Sequence, residues 1–206
     1  MKKIDLSIVI PSYDEEESLP ILVKSIYEKL KQKDIVFEII IIDDGSTDKT
    51  WSEIEVLTKK HLNIFPIKFI KNYGKSDALD AGFKISRGNY ILTMDADLQD
   101  DPEEIHKLYE LITEKDFDLV SGWKKKRNDP LSKTIPSKFF NMVTRVFSGI
   151  KLNDFNCGIK IYKKEVIDSI NLYGEMHRYI PLIAKWNGYN SIGEKEVNHN
   201  KRKFGK

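Results

Sequence analysis

The stretch at residues 90–102, YILTMDADLQDDP, constrains the fold more than any other part of the chain. Its first half is a run of apolar and β-branched residues, which predicts a buried β-strand. Four carboxylates then follow within seven positions, at Asp95, Asp97, Asp100 and Asp101. Because open α/β sheets bind their ligands at the carboxyl ends of strands, we expect a functional site at the end of this strand.

The spacing of the first two carboxylates in this stretch would allow both to bind one metal ion. Asp95 and Asp97 are separated by one residue, so in an extended backbone both side chains can point the same way. Two carboxylates suit Mg²⁺ or Mn²⁺, which prefer carboxylate, water and phosphate oxygens, and Gln99 adds a neutral oxygen at the same parity. Pro102 suits the first turn of a helix that Asp101 would cap. Helix capping alone is the alternative explanation of these acidic residues.

Strand-like and helix-like patterns alternate through the first part of the chain. Apolar residues recur at helical spacing between short apolar runs at 6–10, 37–42, 64–70, 90–94 and 117–120. This alternation predicts an α/β fold with a right-handed, mostly parallel central sheet flanked by helices, similar to a Rossmann fold. The loops after the first, second and fourth strands carry most of the unusual polar residues, and they would share one edge of that sheet.

Size and charge limit the classes of protein that this chain can belong to. A chain of 206 residues is long enough for one domain with a substantial core. The net charge of +2 and the lack of stacking aromatics among the lysine clusters argue against nucleic acid as a partner. The single cysteine, Cys157, excludes an internal disulfide and fits a reducing compartment. No apolar run approaches the roughly 20 residues that span a bilayer, so we expect a soluble, intracellular protein.

The second half of the sequence is locally basic. Residues 124–138 contain six cations and one acid. The pattern predicts that a helix with a broad apolar face follows, which carries Phe139, Phe140 and Phe147. Such a face either packs on the sheet or presses into lipid. The neighbouring cations favour contact with an anionic membrane surface.

Several motifs together resemble the family 2 inverting glycosyltransferases of the GT-A fold. In the first half these are SIVIPSYDE at residues 7–15, DDGSTD at 43–48 and DAD at 95–97. In the second half SGWK at 121–124, NCG at 156–158, GEMHR at 174–178 and RKFGK at 202–206 are similar to the polyprenyl- or dolichol-phosphate sugar transferases, such as the dolichol-phosphate mannosyltransferases. The resemblance implies one GT-A catalytic domain at 1–206, with a nucleotide-sugar-binding half at 1–122 and an acceptor-side half at 123–206.

The resemblance implies a metal-dependent, inverting transfer of a single sugar of mannose or glucose type. The donor would be a GDP- or UDP-linked sugar, and the acceptor a polyprenyl or dolichyl phosphate. Asp97 and Gln99 would bind Mg²⁺ or Mn²⁺, and Asp95 would bind the metal or ribose hydroxyls. The metal would stabilise the charge on the leaving diphosphate. The implied nucleotide-sugar contacts are Pro11, Tyr13, Glu15, Asp44, Lys75, Asp95 and Ala96.

An anionic acceptor would explain the basic second half. Cations and a hydroxyl are the groups that hold a phosphate, and the candidates are Arg127, Lys133, Ser137 and Arg202. A phosphate monoester is mostly dianionic at neutral pH, so this nucleophile needs no strong general base. The expected catalytic residues are Asp95 and Asp97, with Glu175 and His177 in positioning roles.

Two other functions remain open at this point. A family 2 transferase with a sugar or polysaccharide acceptor would need a carboxylate base, either Glu175 or Asp101. A non-catalytic nucleotide-binding module is the alternative from another class. The lipid acceptor implies a peripheral location at the cytoplasmic face of a membrane. It also implies a separate membrane anchor, or a C-terminal transmembrane segment that this sequence lacks.

Overall fold

A seven-stranded, mostly parallel β-sheet forms the centre of the molecule. The structure, a computed structural model, describes residues 3–125 and 141–204. The strand order across the sheet is β3-β2-β1-β4-β6-β5-β7, and β6 alone among these strands runs antiparallel to its neighbours. The strands are β1 (Leu6–Ser12), β2 (Phe37–Asp43), β3 (Ile64–Lys68), β4 (Tyr90–Thr93), β5 (Leu119–Trp123), β6 (Lys160–Lys163) and β7 (Ile192–Glu196).

Helices cover both faces of this sheet, which confirms the expected α/β class. They are α1 (Ser18–Leu30), α2 (Thr50–Lys60), α3 (Lys75–Ile85), α4 (Glu103–Lys115), α5 (described over 141–148), α6 (Lys164–Asp168) and α7 (Ile180–Trp186), with a 3₁₀ turn at Met176–Tyr179. Within the described ranges no helix has the length and apolarity needed to cross a bilayer.

The alternation of side chains along β1 explains why the sheet carries a helical layer on each face. Ile8 and Ile10 pack in one apolar cluster with residues of α1 and α4, such as Leu22. Val9 points to the opposite face, where it joins a second cluster with α3 residues such as Phe83. Because all these strand residues are fully buried, the sheet centre is fixed on both faces, and chemistry is confined to the strand ends.

The insertion of β6 next to β4 brings the second half of the chain to the end of the acidic strand. Leu92 of β4 pairs with Ile161 of β6. Just before β6, the carbonyl of Gly158 accepts a hydrogen bond of 2.8 Å from the Thr93 hydroxyl. Residues that lie 65 positions apart therefore meet at this sheet edge.

The acidic strand ends earlier than the sequence suggests. β4 stops at Thr93, and the backbone turns at residues 96–97 instead of staying extended. Leu98 has a φ of 61°, in the left-handed region, and the Asp97 carboxylate accepts a hydrogen bond of 3.1 Å from the Gln99 amide. The assumption of an extended backbone for the Asp-x-Asp motif was therefore wrong, because a side-chain hydrogen bond closes a turn there.

Candidate active site

A pocket of about 340 Å³ opens at the carboxyl ends of β1, β2 and β4. All seven residues expected to contact a nucleotide sugar lie in its wall. The complete lining is Pro11, Ser12, Tyr13, Glu15, Asp44, Asn72, Gly74, Lys75, Asp95, Ala96 and Asp97. The structure thus brings the predicted residues together, while their individual roles remain predictions.

The loop that carries Tyr13 is fastened to the loop after β2. Asp14 has a φ of 54°, and its carboxylate accepts a hydrogen bond of 2.8 Å from the Thr47 amide. The Glu15 amide donates to the Thr50 hydroxyl at 2.8 Å. These bonds hold the Tyr13 ring at the pocket rim, where 44% of the residue is exposed. An exposed ring in a fixed loop is available for stacking on a planar ligand.

Asp44 organises the next wall of the pocket. Its two carboxylate oxygens accept hydrogen bonds from the backbone amides of Tyr73 at 2.8 Å and Gly74 at 2.9 Å. Gly74 has a φ of 100°, which favours glycine. Burial raises the pKa of Asp44, although these two amides oppose the shift. Asp44 therefore holds the turn that starts α3 and directs Lys75 into the pocket.

Asp95 is held between a lysine and a glycine. The Lys75 ammonium group forms an ion pair with Oδ1 of Asp95. On the other side lies Gly158, where an added Cβ would stand 2.7 Å from Cγ of Asp95. Burial alone would raise the pKa of the Asp95 carboxyl group. The positive charges of Lys75, Lys124 and Lys160 outweigh burial and lower that pKa to about 2, so the carboxylate stays ionised.

Asp97 experiences the opposite electrostatic environment. Burial, followed by the negative charge of Asp95, raises the pKa of Asp97 to about 6. Both carboxylates line the same pocket, so an added cation would stabilise their ionised forms together. Gln99 contributes through its backbone, because its amide donates to Asp97 and its carbonyl accepts a bond of 2.8 Å from the Asn200 amide. Its predicted role as a metal ligand remains a prediction.

Two lysines lie behind the Asp-x-Asp turn, of which Lys160 is buried and Lys124 is largely buried. The Lys124 ammonium group is 2.7 Å from the Asp100 carboxylate. Burial acts to lower the pKa of Lys124, but this carboxylate raises it above its usual range. Lys160, on β6, is buried and donates to the carbonyl of Cys157, and burial lowers its pKa. Lys124 is one of the six cations at residues 124–138 that were expected to favour an anionic membrane, but Asp100 neutralises its charge inside the protein.

Comparison with known proteins identifies the family. The sequence matches the family model described as Glycosyl transferase family 2 over residues 7–170. The chain belongs to glycosyltransferase family 2. This confirms the family that the sequence motifs indicate, and the match includes the whole pocket lining.

Curated relatives are similar along nearly the whole of this chain. A dodecaprenyl-phosphate galacturonate synthase of Rhizobium johnstonii is 35% identical over 208 residues, which cover 100% of this chain and 62% of the relative. An undecaprenyl-phosphate 4-deoxy-4-formamido-L-arabinose transferase of Pectobacterium carotovorum is 34% identical over 202 residues, which cover 98% of this chain and 61% of the relative. The chain therefore spans about six-tenths of the length of these relatives.

Solved structures confirm the GT-A fold. The mannosyl-3-phosphoglycerate synthase of Rubrobacter xylanophilus superposes with a TM-score of 0.75 at 16% identity, covering 97% of this chain and 68% of that one. The glucosyl-3-phosphoglycerate synthase of Mycobacterium tuberculosis, solved with Mn²⁺ and UDP-glucose, gives a TM-score of 0.73 at 21% identity, covering 98% and 72%. At these identities the likeness concerns the fold alone.

Of the four residues expected to bind an acceptor phosphate, the structure describes only Arg202. Arg127, Lys133 and Ser137 lie outside the described residues, as do Phe139 and Phe140. Arg202 lies next to the pocket, and its guanidinium group is 3.0 Å from the Glu15 carboxylate. Both residues line a second cavity of about 370 Å³, which shares Tyr13 and Glu15 with the first. Arg202 thus ties the C-terminal segment to the loop after β1.

The two residues expected in positioning roles lie in different surroundings. Nδ1 of His177 is 3.0 Å from the Ser76 hydroxyl, next to Lys75 on α3. Burial, followed by the charge of Lys75, lowers the pKa of His177 to about 4, so its imidazole is neutral at pH 7. Glu175 instead forms a surface ion pair of 3.3 Å with Arg178. Of the two, His177 is the one that the fold places beside the pocket.

Three site features were missed by sequence reasoning. Gly158 was recognised only as part of a motif, although its lack of a side chain gives Asp95 its space. Asn72 lines the pocket, but an asparagine in a loop carries no specific signal. Lys160 had a usable signal, since a lysine inside the apolar run GIKIY is expected to have a buried partner.

Proposed function

We propose that this domain transfers one sugar from a nucleotide-diphosphate donor to a polyprenyl phosphate, with inversion at the anomeric carbon. The observation that carries the proposal is the pocket in which an exposed Tyr13, Lys75 and the Asp95–Asp97 pair face the same space. The names of the curated relatives, which act on dodecaprenyl and undecaprenyl phosphate, support the acceptor class.

In this proposal each part of such a donor contacts a different part of the pocket lining. The Tyr13 ring can stack on the nucleotide base. Asp44 keeps the turn before α3 in place, and Lys75 offers an ammonium group to the diphosphate. A fold neighbour, the glucosyl-3-phosphoglycerate synthase of Mycobacterium tuberculosis, was solved with UDP-glucose; we propose a UDP-linked donor here, with a GDP-linked donor as the alternative. A mannose- or glucose-type sugar is expected from the sequence motifs, and the relatives add galacturonate and a formamido-arabinose.

The two pocket carboxylates fit Mg²⁺ or Mn²⁺. Hard divalent ions prefer oxygen ligands, and the raised pKa of Asp97 indicates a carboxylate that lacks compensating positive charge. Within residues 3–125 and 141–204, no cluster of three or more His, Cys, Asp or Glu side chains could hold a metal by itself. We infer that Asp95 and Asp97 share the ion with donor oxygens. When bound, the ion stabilises negative charge on the leaving diphosphate.

The positions of Asp101 and Glu175 favour a phosphate nucleophile over a sugar hydroxyl. In the proposed step an acceptor phosphate oxygen bonds to the anomeric carbon as the bond from that carbon to the diphosphate breaks. A dianionic phosphate needs no base, whereas a hydroxyl does. Asp101 accepts a hydrogen bond of 3.0 Å from the Glu103 amide at the start of α4, and Glu175 is paired with Arg178. Neither of these two carboxylates lines the pocket.

A lipid acceptor requires the domain to work at a membrane surface, and we propose its cytoplasmic face. Apolar side chains are exposed on α5 and α7, where Phe147 is 87% and Trp186 74% accessible around a groove of about 250 Å³. Lys124 is paired internally with Asp100, and the segment that precedes α5 in the sequence carries five further cations at residues 125–138. Exposed aromatics beside cations are typical of proteins that bind anionic lipid surfaces.

The deciding experiment is a transfer assay with a donor panel. The protein would be incubated with Mn²⁺ or Mg²⁺, a short polyprenyl phosphate, and UDP- or GDP-linked mannose, glucose, galacturonate and formamido-arabinose, with products detected by mass. We expect one UDP-sugar to give a glycosyl polyprenyl phosphate that EDTA abolishes. Nucleotide binding without transfer would instead indicate a non-catalytic module. Transfer only to sugar hydroxyls would overturn the acceptor assignment.

A further inference from the structure

Lys75 places a positive charge on the pocket carboxylate before any ligand is present. It is the first residue of α3 and follows Gly74, whose amide is bound by Asp44. Its ammonium group pairs with Oδ1 of Asp95, and about a third of each side chain is exposed to the pocket. A cation therefore already occupies one of the two carboxylates that fit a metal.

The other lysines near Asp95 are not available to leave it. Lys124 is almost buried and is paired with Asp100 at 2.7 Å. Lys160 is 4% exposed and donates to the Cys157 carbonyl from within the sheet. Lys75 reaches Asp95 from a helix start at the pocket wall, through a flexible four-carbon side chain. Among these three lysines it is the one that can change its partner without disturbing the core.

We propose that Lys75 is an exchangeable counter-ion, which neutralises Asp95 in the empty pocket and moves to the donor diphosphate when a divalent ion takes its place. The inference deepens the proposed function and rests on it. Two cations at one carboxylate repel each other, so the ion alone competes with Lys75. The diphosphate removes this competition because it supplies new negative charge for the ammonium group. Divalent ion and nucleotide are then coupled, and each tightens binding of the other by the same factor.

A permanent structural role for Lys75 makes a different prediction. If the ion pair only holds Asp95 in position, then removing the ammonium group lets the carboxylate move. Binding of the divalent ion alone would then weaken or stay unchanged. The direction of the change in ion affinity therefore separates exchange from simple support.

The test measures Mn²⁺ binding by electron paramagnetic resonance, with and without UDP, for the parent protein and three variants. Lys75→Met keeps the length of the side chain and removes its charge, whereas Lys75→Arg keeps the charge. Lys84→Met is the matched control, because Lys84 pairs with Asp80 at 2.5 Å on the exposed side of the same helix. Thermal melting checks that every variant is folded.

If Lys75 is an exchangeable counter-ion, Lys75→Met should change the affinities for Mn²⁺ and for UDP in opposite directions. We expect Lys75→Met to bind Mn²⁺ alone about tenfold more tightly than the parent, since one nearby positive charge is gone. Its affinity for UDP in the presence of Mn²⁺ should fall by about tenfold, because the diphosphate loses a cation. Lys84→Met should behave like the parent, and Lys75→Arg, which keeps the charge, should lack the tighter Mn²⁺ binding of Lys75→Met.

The two proposals fail in different ways. If Lys75→Met binds Mn²⁺ alone no more tightly than the parent, the exchange of Lys75 is wrong. The metal site of the proposed function would still be supported by UDP-dependent Mn²⁺ binding in the parent. If the parent binds no Mn²⁺ even with UDP, the metal site of the proposed function is wrong, and exchange falls with it.

Discussion

Replacing Gly158 by alanine tests whether the reaction depends on the position of the Asp95 carboxylate. Gly158 lies just before β6, against the carboxylate that Lys75 holds from the other side. An ideal Cβ at this position stands 2.7 Å from Cγ and 3.0 Å from Oδ1 of Asp95, and Oδ2 is nearer still. The Gly158 carbonyl accepts a hydrogen bond from the Thr93 hydroxyl, so the glycine cannot move away without breaking it.

The size of the effect follows from this geometry. Ordinary van der Waals contact begins at 3.4 Å, so the carboxylate or the loop must shift by at least 0.7 Å to clear Cγ, and by about 1 Å to clear the nearer Oδ2. A misplacement of about 1 Å at a reacting site lowers rates by about 100-fold, which corresponds to roughly 2.7 kcal/mol. Overpacking of this kind also lowers the free energy of unfolding by about 1–3 kcal/mol.

The assay compares Gly158→Ala with Gly193→Ala. In β7, a Cβ at Gly193 would meet the Phe117 ring at 2.8 Å, so this control is also crowded but lies outside the pocket lining. We expect both variants to lower the melting temperature. Only Gly158→Ala should reduce turnover by about 100-fold and weaken Mn²⁺-dependent UDP binding in calorimetry.

One result would refute this reasoning. If Gly158→Ala turns over like the parent, Asp95 either has room to move or takes no part in the reaction. Equal losses of activity in both glycine variants would point to lowered stability instead of a displaced carboxylate.

Four further outcomes are expected. Asp97→Asn should abolish turnover, at a cost of several kcal/mol in transition-state stabilisation, and an active variant would exclude Asp97 as a metal ligand. The same change should raise the melting temperature at pH 8, because ionised Asp97 repels Asp95. Since the folded pKa of Asp97 is about 6, Mn²⁺–UDP affinity should fall as the pH drops below 6 and level off above it; a flat titration between pH 5 and 7 would contradict this. Tyr13→Ala should weaken UDP binding by about 1–3 kcal/mol if the ring stacks on the base, and unchanged calorimetry would place the base elsewhere. Changing Phe147 and Trp186 to serine should reduce sedimentation with anionic liposomes while the protein stays folded; equal sedimentation of variant and parent would locate the lipid contact on another surface.

The sheet and the position of the pocket could be predicted because both depend on local patterns and one topological rule. The apolar runs of β1, β2 and β4 are continuous, since these strands are buried on both faces. Parallel strands point their carboxyl ends to the same edge, so the polar residues that follow them meet there. This rule alone brought Tyr13 and Asp44 together with Asp95.

The contribution of the second half could not be predicted in the same way. The placement of β6 beside β4 depends on contacts such as that between Thr93 and Gly158, which no local pattern encodes. The turn at Asp97 was also missed, because the preceding strand pattern suggested that the extended backbone continues. In both cases a long-range partner or a side-chain hydrogen bond decided the local structure.

The basic residues of the second half show why charge runs are ambiguous. Lys124 has an inward partner in Asp100, and Arg202 has one in Glu15. A cation that is neutralised within the protein adds little long-range attraction to an anionic membrane. These residues instead fasten the loops around the pocket, which keeps the acidic turn in place for a ligand. Any attachment to lipid by the described residues must then depend more on exposed apolar side chains such as Phe147, so we expect it to be less sensitive to salt than the number of lysines suggests.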